Sequence, residues 1–231
     1  MDYFKLRGVD AAAYTSAQLP AWLTRAVQGL EPDANLLDFG CGFGQNIREL
    51  KGQGFSCVYG ADVNSQALAH CRSVGFDVYD VAGGFKELES SGIKFDAIVT
   101  THVLEHIPKD AVIQTLAVLR GLLKPGGMLL AAVPNAQAYT GCYWAYEDFT
   151  HHTLYTHGSL LYILRAAGFS QVDLLDRYAI EGSSKFRGGV RLLLTKLYAY
   201  NYIFWKKILG SPTHISSTDV FSYELKVRAR I

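Results

Sequence analysis

Leu36-Leu37-Asp38-Phe39-Gly40-Cys41-Gly42-Phe43-Gly44-Gln45 is the stretch that decides the reading of this chain. It is a short apolar strand that carries an acid and runs into glycines at alternate positions. Glycine has no Cβ and tolerates positive φ, so such a turn brings backbone close to a bound group. Asn46-Ile47-Arg48-Glu49-Leu50 then reads as the start of a helix. Strand, glycine turn and helix N-terminus in that order present unpaired N–H donors to a nucleotide-like ligand.

The acid discriminates between ligands. The dinucleotide fingerprint is G-x-G-x-x-G, and Gln45 stands where its third glycine belongs. Asp38 precedes the first glycine, where a carboxylate repels a pyrophosphate and attracts a cationic amino group. A dehydrogenase therefore fits poorly. Asp38 to Gly44 resembles motif I, D-x-G-x-G-x-G, of the class I S-adenosylmethionine (SAM) methyltransferases. A glycine-rich turn with no ligand is the alternative for this stretch taken alone.

The following segments repeat the resemblance in order. Cys57 to Ala61 is apolar and ends at Asp62, about 20 residues after the glycine loop, where an acid reaches ribose hydroxyls. Phe76 to Tyr79 ends at Asp80, which is either an adenine contact or a solvated turn acid. Phe95-Asp96-Ala97-Ile98-Val99-Thr100-Thr101-His102-Val103-Leu104-Glu105-His106-Ile107 is similar to the family's F-D-x-I-x-x-x-x-V-L-E-H-I. Ala97 to Val99 is expected to lie beside the motif I strand. Ala111 to Leu123 reads as a helix with Val112, Leu116, Leu119 and Leu123 on one face, stopped by Lys124-Pro125-Gly126-Gly127. Met128 to Asn135 is the next buried strand, in the family's L-K-P-G-G-x-L-x-x-x-x-P-N pattern.

The chain is identified by these motifs as a class I SAM-dependent methyltransferase domain of the type 11/23 kind. That implies an α/β, doubly wound, Rossmann-like sheet of seven strands with an antiparallel last strand. It also implies the cofactor SAM and the product S-adenosylhomocysteine. By the resemblance Asp38, Gly40, Gly42 and Gly44 hold the amino-acid end, Asp62 the ribose and Asp80 the adenine. Cys41, Asn46, Val63, Val81, Thr100, Thr101, His102 and His106 complete the expected cofactor-binding set.

Composition suits one domain. The chain has 231 residues, 49% hydrophobic, enough for a sizeable core. Its net charge is +1, which gives no general attraction for nucleic acid. Cys41, Cys57, Cys71 and Cys142 form no C-x-x-C pair, so reduced thiols in a cytoplasmic protein are expected, with no zinc site. No apolar leader with a cleavage site opens the chain. Residues 1–30 read as an N-terminal lid and helix: Tyr3, Phe4 and Tyr14 cover the cofactor or pack a surface helix, and Pro20 to Leu30 is helical.

Residues 135–158 follow the fifth strand, where open α/β sheets bind substrates. Glu147-Asp148-Phe149-Thr150-His151-His152-Thr153-Leu154-Tyr155-Thr156 lies within them. It resembles a pattern found in bacterial methyltransferases encoded among polysaccharide-building enzymes, which implies a sugar hydroxyl as acceptor. Histidine is the usual base for a hydroxyl near neutral pH. His151 is the first candidate, with Asp148 as its orienter and His152 second; His102 and His106 are rivals. His151 capping its own loop is the alternative. Tyr143, Trp144 and Tyr146 are candidates for stacking on a sugar face or for packing a lid. No second cluster of carboxylates accompanies these histidines in sequence, so no metal is expected.

Residues 182–218 contain no Asp or Glu but carry Lys185, Arg187, Arg191, Lys196, Lys206 and Lys207. Val190 to Leu209 reads as a basic amphipathic helix with Phe186, Val190, Leu193, Leu197, Phe204 and Ile208 on one face. Such a face touches a membrane interface, packs on its own domain, or joins a second copy. Phe221 to Arg230 alternates as an edge strand does. The readings left open are an O-methyltransferase, an N-methyltransferase of a small amine, and an inactive SAM-binding partner of a membrane glycan complex.

Overall fold

The computed structural model of the chain describes residues 18–210 and 217–231, together with Leu6 and Gly8. The lid expected over residues 1–16 lies outside the described residues, as does the end of the basic insertion at 211–216.

Helix α1 (Ala21–Val27) begins behind Pro20, whose missing N–H costs nothing at a helix start. Then strands and helices alternate: β1 (Leu36–Phe39), α2 (Gln45–Gly52), β2 (Val58–Asp62), α3 (Ser65–Ser73), β3 (Asp77–Asp80) and α4 (Lys86–Ser90). β4 (Phe95–Thr101) leads through a short 3₁₀ turn, Leu104–His106, to α5 (Val112–Leu122) and β5 (Leu123–Pro134). α6 (Gly141–Glu147), α7 (His157–Ala166), β6 (Gln171–Leu175), α8 (Lys185–Ile208) and β7 (Glu224–Arg230) complete the chain. The sheet order is β3-β2-β1-β4-β5-β7-β6, with β7 antiparallel to both neighbours. This is the doubly wound, seven-stranded methyltransferase architecture the motifs implied.

The strand residues explain why the sheet takes helices on both faces. Side chains alternate with period two along a strand. Leu37, Phe39, Ile98, Leu129, Ala131 and Val133 join one buried cluster, with Leu116, Leu119 and Leu164 of the helices. Leu36, Ala97, Val99, Met128, Leu130 and Ala132 join the other, with Leu23, Ile47 and Leu68. A strand apolar at every position is stable only when both faces are covered.

Three local readings change. β7 is an interior strand between β5 and β6, not the edge. Its alternation is real, but the polar face is shielded by ion pairs: Arg228 and Arg230 reach Asp173, and Lys226 reaches Asp176. Lys124 to Gly127 belongs to β5 as an irregularity, since pairing with β4 shifts register between Phe95 and Ala97. Helix α8 starts five residues earlier than read, because the Ser184 hydroxyl accepts the Arg187 N–H and caps it.

Asn135 ties the end of β5 to the segment before β7. Its buried Nδ2 donates to the carbonyls of Val220 (2.7 Å) and Ser222 (2.8 Å), and its Oδ1 accepts the Gln137 N–H at 3.0 Å. Asn135→Ala strands two buried carbonyls and the half-buried Gln137 N–H, so a loss of about 2–4 kcal/mol of stability is expected from denaturant unfolding. A loss below about 1 kcal/mol would contradict that role.

Helix α8 has no buried residue. Its half-buried positions are Gly188, Leu192, Thr195, Tyr198, Ala199, Tyr202 and Lys206, at helical spacing, and these face the domain. Tyr198 and Tyr202 pack edge-on against Phe221, at 5.3 and 5.1 Å between ring centres. The apolar face read from the sequence, Phe186, Val190, Leu193, Leu197, Phe204 and Ile208, is exposed. No helix among the described residues is long and apolar enough to cross a membrane.

Candidate active site

A cavity of about 580 Å³ opens at the carboxyl ends of β1, β2, β4 and β5, and its size suits a small cofactor with an acceptor. Open α/β sheets bind ligands at this edge because the strand order reverses there and separates adjacent loops.

The cofactor side is made by the glycine turn. Gly40 has φ +84°, and a Cβ placed on it would lie 2.1 Å from Val103 Cγ2. Gly44 has φ +82°, and a Cβ there would meet the Phe76 ring at 2.8 Å. Both positions thus need glycine for conformation and for space. Asp62, at the end of β2, accepts the Gly42 N–H and the Asn64 N–H, each at 2.8 Å. A carboxylate has about four acceptor sites, so Asp62 keeps capacity for two ribose hydroxyls. Gln45 Oε1 is buried with no hydrogen-bond partner among the described residues, on a residue that lines the cavity. An unfilled acceptor beside the glycine turn is what a cationic amino-acid end would complete. The residues present fit SAM.

Other expected cofactor residues sit behind this wall. Gly40, Gly42, Asp62, Val63, Val81, Thr101, His102 and His106 line the cavity; Asp38, Cys41, Gly44, Asn46, Asp80 and Thr100 do not. Asp38 is buried under the turn, where Asn46 Nδ2 donates to its Oδ1 at 3.1 Å and to Thr101 Oγ1 at 3.3 Å. Through Asn46 it ties β1 to α2 and β4, while its Oδ2 is buried with no hydrogen-bond partner among the described residues. Cys41 and Thr100 are fully buried and pack the loop from below. Asp80 is exposed and its Oδ1 takes the Ala82 N–H at 2.8 Å, so its carboxylate caps its own turn.

Burial lifts the Asp38 carboxyl from 3.8 to about 7; Asn46 opposes this and Asp62 adds to it. The folded chain therefore holds this proton to higher pH than the unfolded chain does. Stability from the neutral form is complete below pH 4 and is lost as pH rises through about 7, about 4 kcal/mol for a three-unit shift. Melting curves of the cofactor-free protein are expected to show that slope, and Asp38→Asn to flatten it. Equal slopes in both proteins would refute the assignment.

The acceptor side combines the turn after β4 with the loop after α6. Glu105 is fully buried, and neither carboxylate oxygen has a hydrogen-bond partner among the described residues. His102 Nδ1 stands 3.3 Å from Glu105 Oε1, an ion pair rather than an aligned hydrogen bond. His102 Nε2 meets Glu224 Oε1 at 2.7 Å. Burial would lower this imidazole, but Glu105 and Glu224 outweigh it and raise it to about 10. His102 is thus an imidazolium at neutral pH and no proton acceptor. It joins β4 to β7 with a φ of +56°, a backbone state that a non-glycine residue keeps only when its surroundings hold it.

His106 and His151 face each other, 4.7 Å between ring centres. His151 Nδ1 lies 2.7 Å from the Trp144 carbonyl oxygen. A carbonyl only accepts, so Nδ1 carries the proton and Nε2 the lone pair. The orienter of His151 is therefore the Trp144 carbonyl. Asp148 Oδ1 takes both the N–H (3.0 Å) and the O–H (2.6 Å) of Thr150. With its proton given to Asp148, Thr150 Oγ1 accepts from His106 Nδ1 at 2.8 Å. Asp148 thus reaches His106 through Thr150. Burial also lowers the His106 imidazole from its usual value, more than Glu105 raises it.

The remaining candidates separate by exposure. Trp144 lines the cavity; Tyr143 and Tyr146 are exposed on α6 and do not. His152 is exposed and only its backbone takes part, donating its N–H to the Glu105 carbonyl at 2.7 Å. His151 lines the cavity and His152 does not. Glu105, Gln45, Thr150 and Tyr223 are cavity residues that the sequence reading passed over.

Fold and site together define a class I SAM-dependent methyltransferase. The chain matches the family model Methyltransf_23, a methyltransferase domain, over residues 11–174, and it belongs to that family. The match ends before α8. Among curated proteins it is similar to a ubiquinone biosynthesis O-methyltransferase of Agrobacterium fabrum, 32% identical over 116 residues, 48% of this chain and 43% of that protein. The protein of the same description from Brucella anthropi is 27% identical over 176 residues, 72% of this chain and 63% of that protein. The chain thus spans about half the length of these relatives. A SAM-dependent methyltransferase from Archaeoglobus fulgidus has the same fold, with TM-score 0.66, 18% identity and full coverage of both chains. The plantazolicin methyltransferase BpumL, solved with S-adenosylhomocysteine, gives TM-score 0.57 and 16% identity, over 91% of this chain and 82% of that one. SAM is accordingly the cofactor.

Proposed function

We propose that this methyltransferase acts on a hydroxyl acceptor that lies against Glu105, His106 and His151. The observation that carries the reading is the His151 ring, with Nδ1–H fixed on the Trp144 carbonyl and the Nε2 lone pair left as proton acceptor. A hydroxyl must lose its proton to be methylated, whereas a neutral amine needs no strong base. The curated relatives, both O-methyltransferases by description, favour the same reading.

SAM supplies a methyl group on a positively charged sulfur. The glycine turn and Gln45 would hold its amino-acid end, and Asp62 its ribose. Val63 and Val81 supply apolar contact beside these groups. Trp144 closes the acceptor side and offers a ring face to a planar or sugar acceptor. His151 takes the acceptor's proton as the oxygen bonds to the methyl carbon. In-line displacement asks little more than alignment, which rigid strand ends supply.

The finer reading is a lipid-linked sugar in a bacterial glycan or glycolipid pathway. The Asp148 to Ser159 residue pattern supports it, and so does α8. That helix has six basic residues, no acidic one, and an exposed row of leucine, phenylalanine and tryptophan. An anionic lipid surface suits this charge; two copies facing each other would juxtapose like charges. The chain would then work at the cytoplasmic face of a membrane.

The test is methyl-labelled SAM incubated with the pure protein and extract of the source cells. Label partitioning into organic solvent supports a lipid-linked acceptor. Label confined to water-soluble product removes the lipid-linked reading and keeps the hydroxyl one. Label on nitrogen in the isolated product overturns both.

A further inference from the structure

One donor atom each of Glu105, His106 and His151 lies within 4.8 Å of the other two. Nothing in the sequence motifs requires this meeting. The two rings are set alike. His151 Nδ1–H is spent on the Trp144 carbonyl at 2.7 Å, and His106 Nδ1–H on Thr150 Oγ1 at 2.8 Å. Each ring therefore carries its lone pair on Nε2. A backbone carbonyl behind one imidazole and a hydroxyl–carboxylate relay behind the other is how proteins fix histidine ligands in one tautomer. The third member is a fully buried carboxylate with no hydrogen-bond partner for either oxygen among the described residues. A buried carboxylate is normally paired or bound to metal, and this one is paired with His102 on one oxygen only. Its Oε1 stands beside His102, which leaves Oε2 to ligate.

We propose that Glu105, His106 and His151 bind a divalent transition-type cation such as Mn²⁺, Co²⁺ or Zn²⁺, with open positions for the acceptor hydroxyl. Two imidazoles and one carboxylate favour such ions over Mg²⁺ or Ca²⁺, which prefer oxygen alone. Ligand atoms at about 2.0–2.2 Å from zinc lie roughly 3.4 Å apart in a tetrahedron. The donors observed within 4.8 Å close to that spacing by small side-chain rotations.

This inference rests on the hydroxyl-acceptor reading and moves proton removal from His151 to the ion. A bound metal lowers the pKa of its water to near neutrality, about 7, and would act on an acceptor hydroxyl in the same sense. The hydroxyl proton leaves to solvent through the cavity mouth. The oxygen's electron pair forms the new bond to the methyl carbon. The carbon–sulfur bond breaks, and its pair stays on sulfur.

The test is tag-free protein stripped with a chelator and titrated with Co²⁺, followed by visible absorption and calorimetry. Expected is one Co²⁺ per chain with ligand-field bands. His106→Ala should weaken it by at least about 10-fold, while His152→Ala leaves it unchanged. Glu105→Gln should weaken it too, but removes a buried charge and changes folding, so His106→Ala carries the decision. No Co²⁺ binding, or equal binding by wild type and His106→Ala, overturns the proposal. SAM binding is measured separately on the metal-free protein. SAM bound without cobalt leaves the methyltransferase reading standing and the cation refuted; cobalt bound at this cluster without SAM does the reverse.

Discussion

His151→Ala is expected to lower turnover by about 10²- to 10⁴-fold while SAM affinity changes little. The ring lies on the acceptor side of the cavity, and its Nδ1 is held by the Trp144 carbonyl at 2.7 Å. Losing it removes both a proton acceptor and a metal donor, so the fall is expected whichever of the two it serves. The neighbouring His152→Ala should stay within about twofold, because that side chain is exposed and only its backbone touches the site. Rate constants under saturating SAM, with calorimetric SAM affinity alongside, check both. If His151→Ala keeps full turnover, a neutral amine acceptor becomes the better reading.

Gly40→Ala is the second large effect. Its φ of +84° costs an L-residue about 1–2 kcal/mol. The new methyl would also sit 2.1 Å from Val103 Cγ2, and overpacking of that kind costs about 1–3 kcal/mol more. A total loss of about 2–5 kcal/mol is expected in denaturant unfolding, together with at least tenfold weaker SAM binding. Adding Val103→Ala removes the clash but not the backbone strain, so the double variant should recover only part of the loss. Full recovery would mean that the left-handed conformation contributes nothing; no loss at all would mean that the turn rearranges freely.

The cofactor half of the site was legible because its determinants are local. A strand end, a glycine turn and an acid at the next strand end lie in one short run of chain, and their order implies their geometry. Asp38 shows the limit of that reading. Its position in the motif is correct, yet which way its carboxyl points depends on Asn46 and Thr101, which come from two other elements. The acceptor half was less legible. His151 stands out by its residue type, but the relay from Asp148 through Thr150 to His106 joins two separate segments and cannot be seen in the sequence. Glu105 lies in a strand-end motif, and the burial of its carboxylate, paired with His102 on one oxygen only, becomes visible only once the loop after α6 covers it.

The sequence by itself determined the alternation of strands and helices, the parallel core and the class of cofactor, since each follows from short-range periodicity and turn chemistry. Tertiary structure alone decided where β7 inserts, because alternation says that a strand has two faces and not how many neighbours it has. It also decided that Leu193 and Leu197 of α8 face outward, since an amphipathic pattern defines a stripe without saying which stripe meets the domain. The cluster of Glu105, His106 and His151 belongs to the same class. Glu105 and His106 are neighbours in the turn after β4, but His151 lies far along the chain, and the loop after α6 must dock on that turn, through the His152 N–H on the Glu105 carbonyl, to bring its ring to them.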